Sequence, residues 1–213
     1  MSVRTDGLLF VLSEPGRVPL DEFHHWYDTE HAPARLRVPG IHAGHRFRAA
    51  DDRSPSWLAV YPLELSALDS PAYAAARIRS PYEQTVVDRL AVLDRRVYAR
   101  INDPEDPFDP APDACPLLLT VALTSTDPEG LDAWYAGEHL PMLRRAPGWR
   151  RTTRYRRIEG AGPDHLAVHE LDGPAVFDTP QYARAVSTPW REAVARTIST
   201  RERRLFTHHR TLG

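Results

Sequence analysis

The sequence predicts an α+β fold built from two tandem copies of one strand–helix–strand–strand–helix–strand unit. Three observations lead there. The first is a motif that occurs twice: Trp26-Tyr27-x-x-Glu30-His31-x-Pro33 closing on Pro39-Gly40, and Trp134-Tyr135-x-x-Glu138-His139-x-Pro141 closing on Pro147-Gly148. The second is a constant offset of 108 residues (139 against 31, 148 against 40) that continues past the motif. Trp57-Leu58-Ala59-Val60-Tyr61 matches His165-Leu166-Ala167-Val168-His169, and Ser80-Pro81-Tyr82 matches Thr188-Pro189-Trp190. Arg95-Arg96-Val97-Tyr98 matches Arg203-Arg204-Leu205-Phe206, and only the helix opened by Ser70-Pro71 slips by one residue. So long a period describes a duplicated domain-sized unit rather than a solenoid. The third observation is the order of elements within each copy.

In the first copy, the apolar run 7–12, bounded by Glu14-Pro15-Gly16, reads as a buried strand. Residues 19–37 read as a helix, with Pro19 at its start and Asp21 and Glu22 where the dipole favours acids. Pro33 is expected to end or kink it, because its ring clashes with the preceding turn, and Pro39-Gly40 stops it. Residues 41–49 and 57–63 read as a hairpin, 72–78 and 82–93 as short helices, and 96–101 as the closing strand. This is the ferredoxin-like, split βαβ order. Residues 102–114, rich in Asp and Pro, read as a linker between a first repeat over 1–101 and a second over 115–213. The second repeat gives strands at 117–123, 150–158, 165–171 and 204–210, a motif helix at 130–145, and two helices opened by Thr179-Pro180 and Thr188-Pro189. A sheet with helices on one face needs cover on the other. The expectation is two four-stranded antiparallel sheets packed face to face as a pseudo-twofold barrel with its helices outside.

Composition narrows the chemistry. The 213 residues suggest one or two domains, and 42% hydrophobic with 26% charged residues is ordinary for a globular chain. A formal charge of −2 offers no basic field for nucleic acid. The chain has no lysine, which excludes Schiff-base chemistry and a phosphate loop of the GK[ST] type. Cys115 is the only cysteine, so neither an intrachain disulfide nor a cysteine metal cluster is available. No GxSxG elbow or glycine-rich dinucleotide loop occurs. The histidine pairs His42/His45 and His208/His209 lack the ligand set of a zinc site, so no metal is expected. No apolar run of membrane-spanning length and no leader-like start is present, so a soluble cytoplasmic protein is expected.

Tyr27-x-x-Glu30-His31-x-Pro33 and Tyr135-x-x-Glu138-His139-x-Pro141, each followed by Pro-Gly, resemble the EthD-like branch of the dimeric α+β barrel superfamily. The resemblance covers nearly all of both halves. It implies a pocket between the helices and the helical face of each sheet. Relatives include cofactor-free quinone-forming monooxygenases, polyketide cyclases, lactone isomerases, dehydratases, and aldoxime and chlorite enzymes that use haem. Ordinary members pair two chains, so this tandem chain resembles a fused dimer: a monomeric barrel, with a homodimer as the alternative.

Tyr27 and His31, like Tyr135 and His139, are four apart and share a helix face. A phenol beside an imidazole can move protons near neutral pH. Glu30 and Glu138 can orient an imidazole or act as bases. The structural alternative is a bonded His–Glu–Tyr cluster that the fold needs twice. Trp26, Trp134, Tyr61, His169, Tyr82 and Trp190 are candidate walls of a substrate pocket. Tyr61 and His169 line pockets if their strand face is the helical one, and belong to the sheet interface otherwise. One pocket of a fused pair can survive while its twin decays, which makes asymmetric positions informative: His24-His25 against Asp132-Ala133, Asp28-Thr29 against Ala136-Gly137, Tyr61 against His169. The expected function is a cofactor-independent enzyme on a hydrophobic, aromatic or polyketide-like molecule, with His31 and His139 as acid/base in cyclisation, dehydration or isomerisation. Monooxygenation, a non-catalytic binding role, and haem held by one pocket histidine are the alternatives.

Overall fold

The computed structural model describes residues 5–101 and 115–213. The predicted linker 102–114 lies outside the described residues. Eight strands form one closed antiparallel barrel: β1 (Gly7–Glu14), β2 (Gly44–Ala49), β3 (Trp57–Leu63), β4 (Val92–Arg100), β5 (Leu117–Ser125), β6 (Trp149–Glu159), β7 (His165–Leu171) and β8 (Ile198–Leu212). Around the barrel the order is β1-β3-β2-β8-β5-β7-β6-β4, with β4 returning to β1.

The expected barrel is present, but its two four-stranded sheets are not merely packed face to face: they join edge to edge into one continuous ladder. Strand β2 pairs β8, and β4 pairs β6, so all four sheet edges are consumed. An open edge leaves unpaired N–H and C=O groups, and closure satisfies them. The two seams carry reciprocal registers: Arg48 faces Thr207 where Arg156 faces Ala99, and Ala49 faces Phe206 where Arg157 faces Tyr98. The offset of 108 fails in the first strand. Leu63 and Leu171 differ by 108, yet their partners Gly7 and Leu117 differ by 110, so the second half is two residues shorter between its first strand and its motif helix.

Alternation sorts the strands' side chains. Leu58, Val60, Leu166 and Val168 point into the barrel with Phe10, Phe47, Tyr98 and Phe206. Each buried aromatic or aliphatic side chain contributes about 1.5–3 kcal/mol through lost water contact. Trp57, Ala59 and Tyr61 point the other way, onto the first group of helices, and Ala167 does so onto the second. The face left open by the sequence is therefore the helical one.

The motif helix does not stop at its proline. It runs as α1 (Leu20–Trp26), a π-helical turn over Tyr27–His31, and α2 (Ala32–Leu36). In the second half α5 (Pro128–Trp134) leads through a π turn over Tyr135–His139 into α6 (Leu140–Leu143). The Ala32 N–H bonds the Tyr27 carbonyl, and the Leu140 N–H bonds that of Tyr135, five residues back. One residue is inserted into the ladder just before Pro33 and Pro141, whose missing N–H and ring bulk would otherwise break it. Gly40 and Gly148 then turn the chain at φ of 91° and 84°, a region that a side chain disfavours.

Each half adds two short helices: α3 (Pro71–Ala76) and α4 (Pro81–Val87), then α7 (Pro180–Ala185) and α8 (Pro189–Ala195). All four open on a Ser or Thr whose hydroxyl accepts from a backbone N–H in the first turn, worth about 1 kcal/mol each. No helix among the described residues is long and apolar enough to cross a membrane.

Candidate functional site

The π turns place Tyr27 beside His31, ring centres 5.0 Å apart, and Tyr135 beside His139 at 5.3 Å. Beneath each tyrosine lies an arginine from the following strand. The Arg46 guanidinium sits 4.2 Å from the Tyr27 ring centre, and that of Arg154 sits 4.0 Å from Tyr135. Arg46 is fixed by Asp28 and His24, each at 2.9 Å, and Arg154 by Asp132 at 2.5 Å. The carboxylate has moved back one helical turn between the halves, yet the cation–π contact is kept.

Around this shared base the halves diverge. In the first, His31 Nδ1 donates to Glu83 Oε1 at 2.7 Å, both groups buried. Tyr61 donates its hydroxyl to that of Tyr27 at 3.3 Å, and Arg35 bonds the Ala76 carbonyl. Burial pushes the Tyr27 phenol up and the Tyr61 phenol well up, so both stay neutral. Burial also pulls the His31 imidazole down, against the pull of Glu83.

In the second half every one of those fillers is exchanged. His169 stands where Tyr61 does, Leu143 where Arg35 does, and Arg191 where Glu83 does. With no arginine to take it, the Ala185 carbonyl accepts from His139 Nδ1 at 3.2 Å. A carbonyl only accepts, so this bond fixes the tautomer: the proton sits on Nδ1 and Nε2 carries the lone pair. Burial, then Arg191 and Arg154, hold the His139 pKa down at about 4. His139 stacks on Trp134 at 4.1 Å and 20°. His169 is paired through Nδ1 with Thr152 Oγ1 at 2.8 Å, and burial with the nearby His139 and Arg203 holds it well below the ordinary histidine range. Tyr135 has no counterpart of the Tyr61 bond among the described residues.

His169 and Leu143 are smaller than Tyr61 and Arg35, and a cavity of about 380 Å³ lies between the second group of helices and the outer face of the barrel. Four predicted site residues, Trp134, Tyr135, His139 and His169, meet in its wall. Leu119, Val121, Leu143, Trp149 and Tyr182 make it apolar, and Arg191, Arg201 and Arg203 edge it with charge. Among the described residues no Asp or Glu lines it.

The other predicted residues lie elsewhere. Trp26, Tyr27, Tyr61 and His31 are packed in the first helical core or its hydrogen bonds. Glu30 and Glu83 edge a separate groove of about 380 Å³ with Arg37 and Ser80. Glu138 accepts from the Trp134 indole at 3.1 Å and from the Thr188 hydroxyl at 2.5 Å, tying the π turn to α8. Tyr82 and Trp190 are partly exposed at 39% and 41%, and Trp190 lies over Gly137 rather than in the cavity. Sequence reasoning missed Arg46, Arg154, Glu83, Arg191, Arg203 and Leu143. The 108-residue offset held the signal, above all the charge reversal from Glu83 to Arg191 one position after the aromatic pair Tyr82 and Trp190. Cys115 is buried, its thiol pushed up to about 12 chiefly by burial, which removes it as a nucleophile at neutral pH. No group of three or more His, Cys, Asp or Glu side chains among the described residues is arranged to hold a metal ion.

No family model matches the chain, and no curated protein matches it significantly. Among solved structures it is similar to an anthrone oxidase-like protein, with TM-score 0.69 and 11% identity over 97% of this chain and 92% of that one. It is also similar to a haem-binding protein from Thermus thermophilus (TM-score 0.57, 12% identity, 96% of this chain and 91% of that one). A chlorite dismutase variant from Candidatus Nitrospira defluvii matches with TM-score 0.56 and 12% identity over 97% and 92%. At such identities the likeness establishes the fold alone: an eight-stranded antiparallel barrel with helices on its outer face.

The comparison corrects one expectation. The sequence reads as that of a cofactor-free protein, yet the same barrel carries a haem-binding protein and a chlorite dismutase. That expectation rests on missing sequence motifs, and a histidine that holds a haem iron need not sit in a motif. The donor set fits. Metal-ligating histidines usually donate their other ring N–H to a carbonyl or carboxylate, as His139 does to Ala185.

Proposed function

We propose that the chain is a small-molecule oxidoreductase of the EthD-like kind, a duplicated barrel unit whose working site is the second-half cavity. The observation that carries this is that the second-half cavity is lined by Tyr135, His139 and His169, whereas the first-half groove of equal volume is not lined by Tyr27, His31 or Tyr61. The reciprocal seam registers support the duplication, and the oxidase and dismutase names of similar structures favour oxidation over cyclisation or isomerisation.

A flat aromatic molecule enters against Trp134, Trp149 and Tyr182. His139, neutral down to about pH 4, accepts a ring or phenol proton at Nε2. The Tyr135 hydroxyl, kept protonated by burial, donates to the oxygen on which charge develops. His169 supplies a second neutral imidazole beside it. The electron-rich anion so formed is the species that an oxidant such as dioxygen takes electrons from.

A second reading is favoured by the fixed His139 tautomer. His139 Nε2 would hold a haem iron, and Arg191 and Arg203 would hold its carboxylates. When bound, haem supplies one-electron and oxygen chemistry. Titrating the protein with haemin while recording the Soret band, and measuring dioxygen uptake with an anthrone-type phenol, tests both. Uptake or a shifted Soret band that His139→Ala abolishes and His31→Ala preserves is the expected result. Dependence on His31 alone would refute the assignment of the site to the second half.

A further inference from the structure

The cavity wall is electrically one-sided. Arg191, Arg201 and Arg203 edge it, and among the described residues no carboxylate lines it. Arg201 is exposed, but Arg191 and Arg203 are half-buried, and neither makes an ion pair with a described residue, although most of the buried arginines do: Arg46 with Asp28, Arg96 with Asp94 and Glu202, Arg154 with Asp132, Arg204 with Asp51. Their first-half equivalents differ in kind. Arg191 replaces the acid Glu83, and Arg201 replaces Leu93. Arg203 corresponds to Arg95, which is neutralised by Glu159 at 2.8 Å and bonded to the Tyr73 hydroxyl at 2.7 Å. Arg203 instead lies over the Phe177 ring at 5.2 Å.

A half-buried guanidinium beside an apolar wall gives up part of its hydration, and the missing partner is an anion. The neutral histidines add no charge of their own at pH 7. The two half-buried forks at the edge of an aromatic hollow, Arg191 and Arg203, suit a planar carboxylate, phenolate or enolate on a ring that occupies the hollow.

We infer that the second-half cavity selects aromatic acids: small fused-ring molecules whose anionic group is held by Arg191 and Arg203 while the rings pack against Trp134, Trp149 and Tyr182. This rests on the proposed location of the site and adds the charge of its ligand. Binding of 8-anilinonaphthalene-1-sulfonate and of neutral N-phenyl-1-naphthylamine, which share a ring frame, separates charge from shape by fluorescence titration. The expected result is about tenfold tighter binding of the sulfonate. That advantage shrinks in Arg191→Gln and Arg203→Gln, and in about 0.5 M salt. Filling the cavity with Ala195→Trp weakens both probes. Equal affinity for the two probes, with both weakened by Ala195→Trp, overturns the charge selection and leaves the cavity as the site. Binding that ignores Ala195→Trp overturns the site as well.

Discussion

His31 and His139 occupy equivalent places on equivalent π turns, beside equivalent tyrosines that cover equivalent arginines. They differ in what bonds their Nδ1 and in what stands opposite. His31 gives its proton to a buried carboxylate and is walled in by Tyr61 and Arg35. His139 gives its proton to a backbone carbonyl and faces open volume. The scaffold is common to both; the exchanged side chains decide whether the Tyr–His pair is covered or lines a cavity. One motif thus serves as a structural cluster in one copy and as a candidate site in the other.

The largest effect expected from breaking this contrast is on turnover. His139→Ala should lower the rate of aromatic oxidation by about 100-fold or more, the scale of a lost general base. His31→Ala should leave the rate per folded molecule nearly unchanged, as active-site titration alongside the assay would reveal. Next is stability. Glu83→Ala leaves a buried imidazole without its acceptor and should cost about 2 kcal/mol in chemical denaturation. The equivalent Arg191→Ala removes a side chain with no ion-pair partner among the described residues and should cost under about 0.5 kcal/mol.

A subtler change sharpens the comparison by making the halves alike. Arg191→Glu returns the first half's carboxylate to the second. The His139 pKa of about 4 in the folded chain lies below its ordinary 6.5, so between those values the folded state binds fewer protons than the unfolded one. That part of the stability is present above pH 6.5 and is lost as pH falls towards 4. A carboxylate beside His139 should raise its pKa, shrink this acid-side loss, and move the acid limb of any pH–rate profile upward. Imidazole titration by NMR reads the shift directly, and an unchanged His139 would mean that Arg191 does not face it.

Much of the fold was written plainly in the sequence. Strands β3 and β7 fall where alternation puts them, and Ser-Pro and Thr-Pro pairs open all four short helices. Strand ends were less legible: β8 runs from Ile198 to Leu212, well beyond the predicted 204–210, because pairing with both β5 and β2 extends it. The π turn was hidden, since it shows in sequence only as a proline that the helix survives. The barrel is legible from the repeat, but its seam pairs, β2 with β8 and β4 with β6, are not, because edge pairing depends on strands that are far apart in the chain. At the site, repetition drew attention to the shared positions of the motif, Glu30 and Glu138 among them. The charge reversal at Glu83 and Arg191, and the arginine-to-leucine exchange at Arg35 and Leu143, carry the functional contrast, and nothing local to either residue announces it.

The most direct test of the account is a histidine side-chain NMR spectrum, with imidazole nitrogens labelled, recorded with and without 8-anilinonaphthalene-1-sulfonate. The account predicts that His139 and His169 resonances move on binding while His31 stays fixed in its bond to Glu83. Movement of His31 with His139 and His169 unaffected would contradict it.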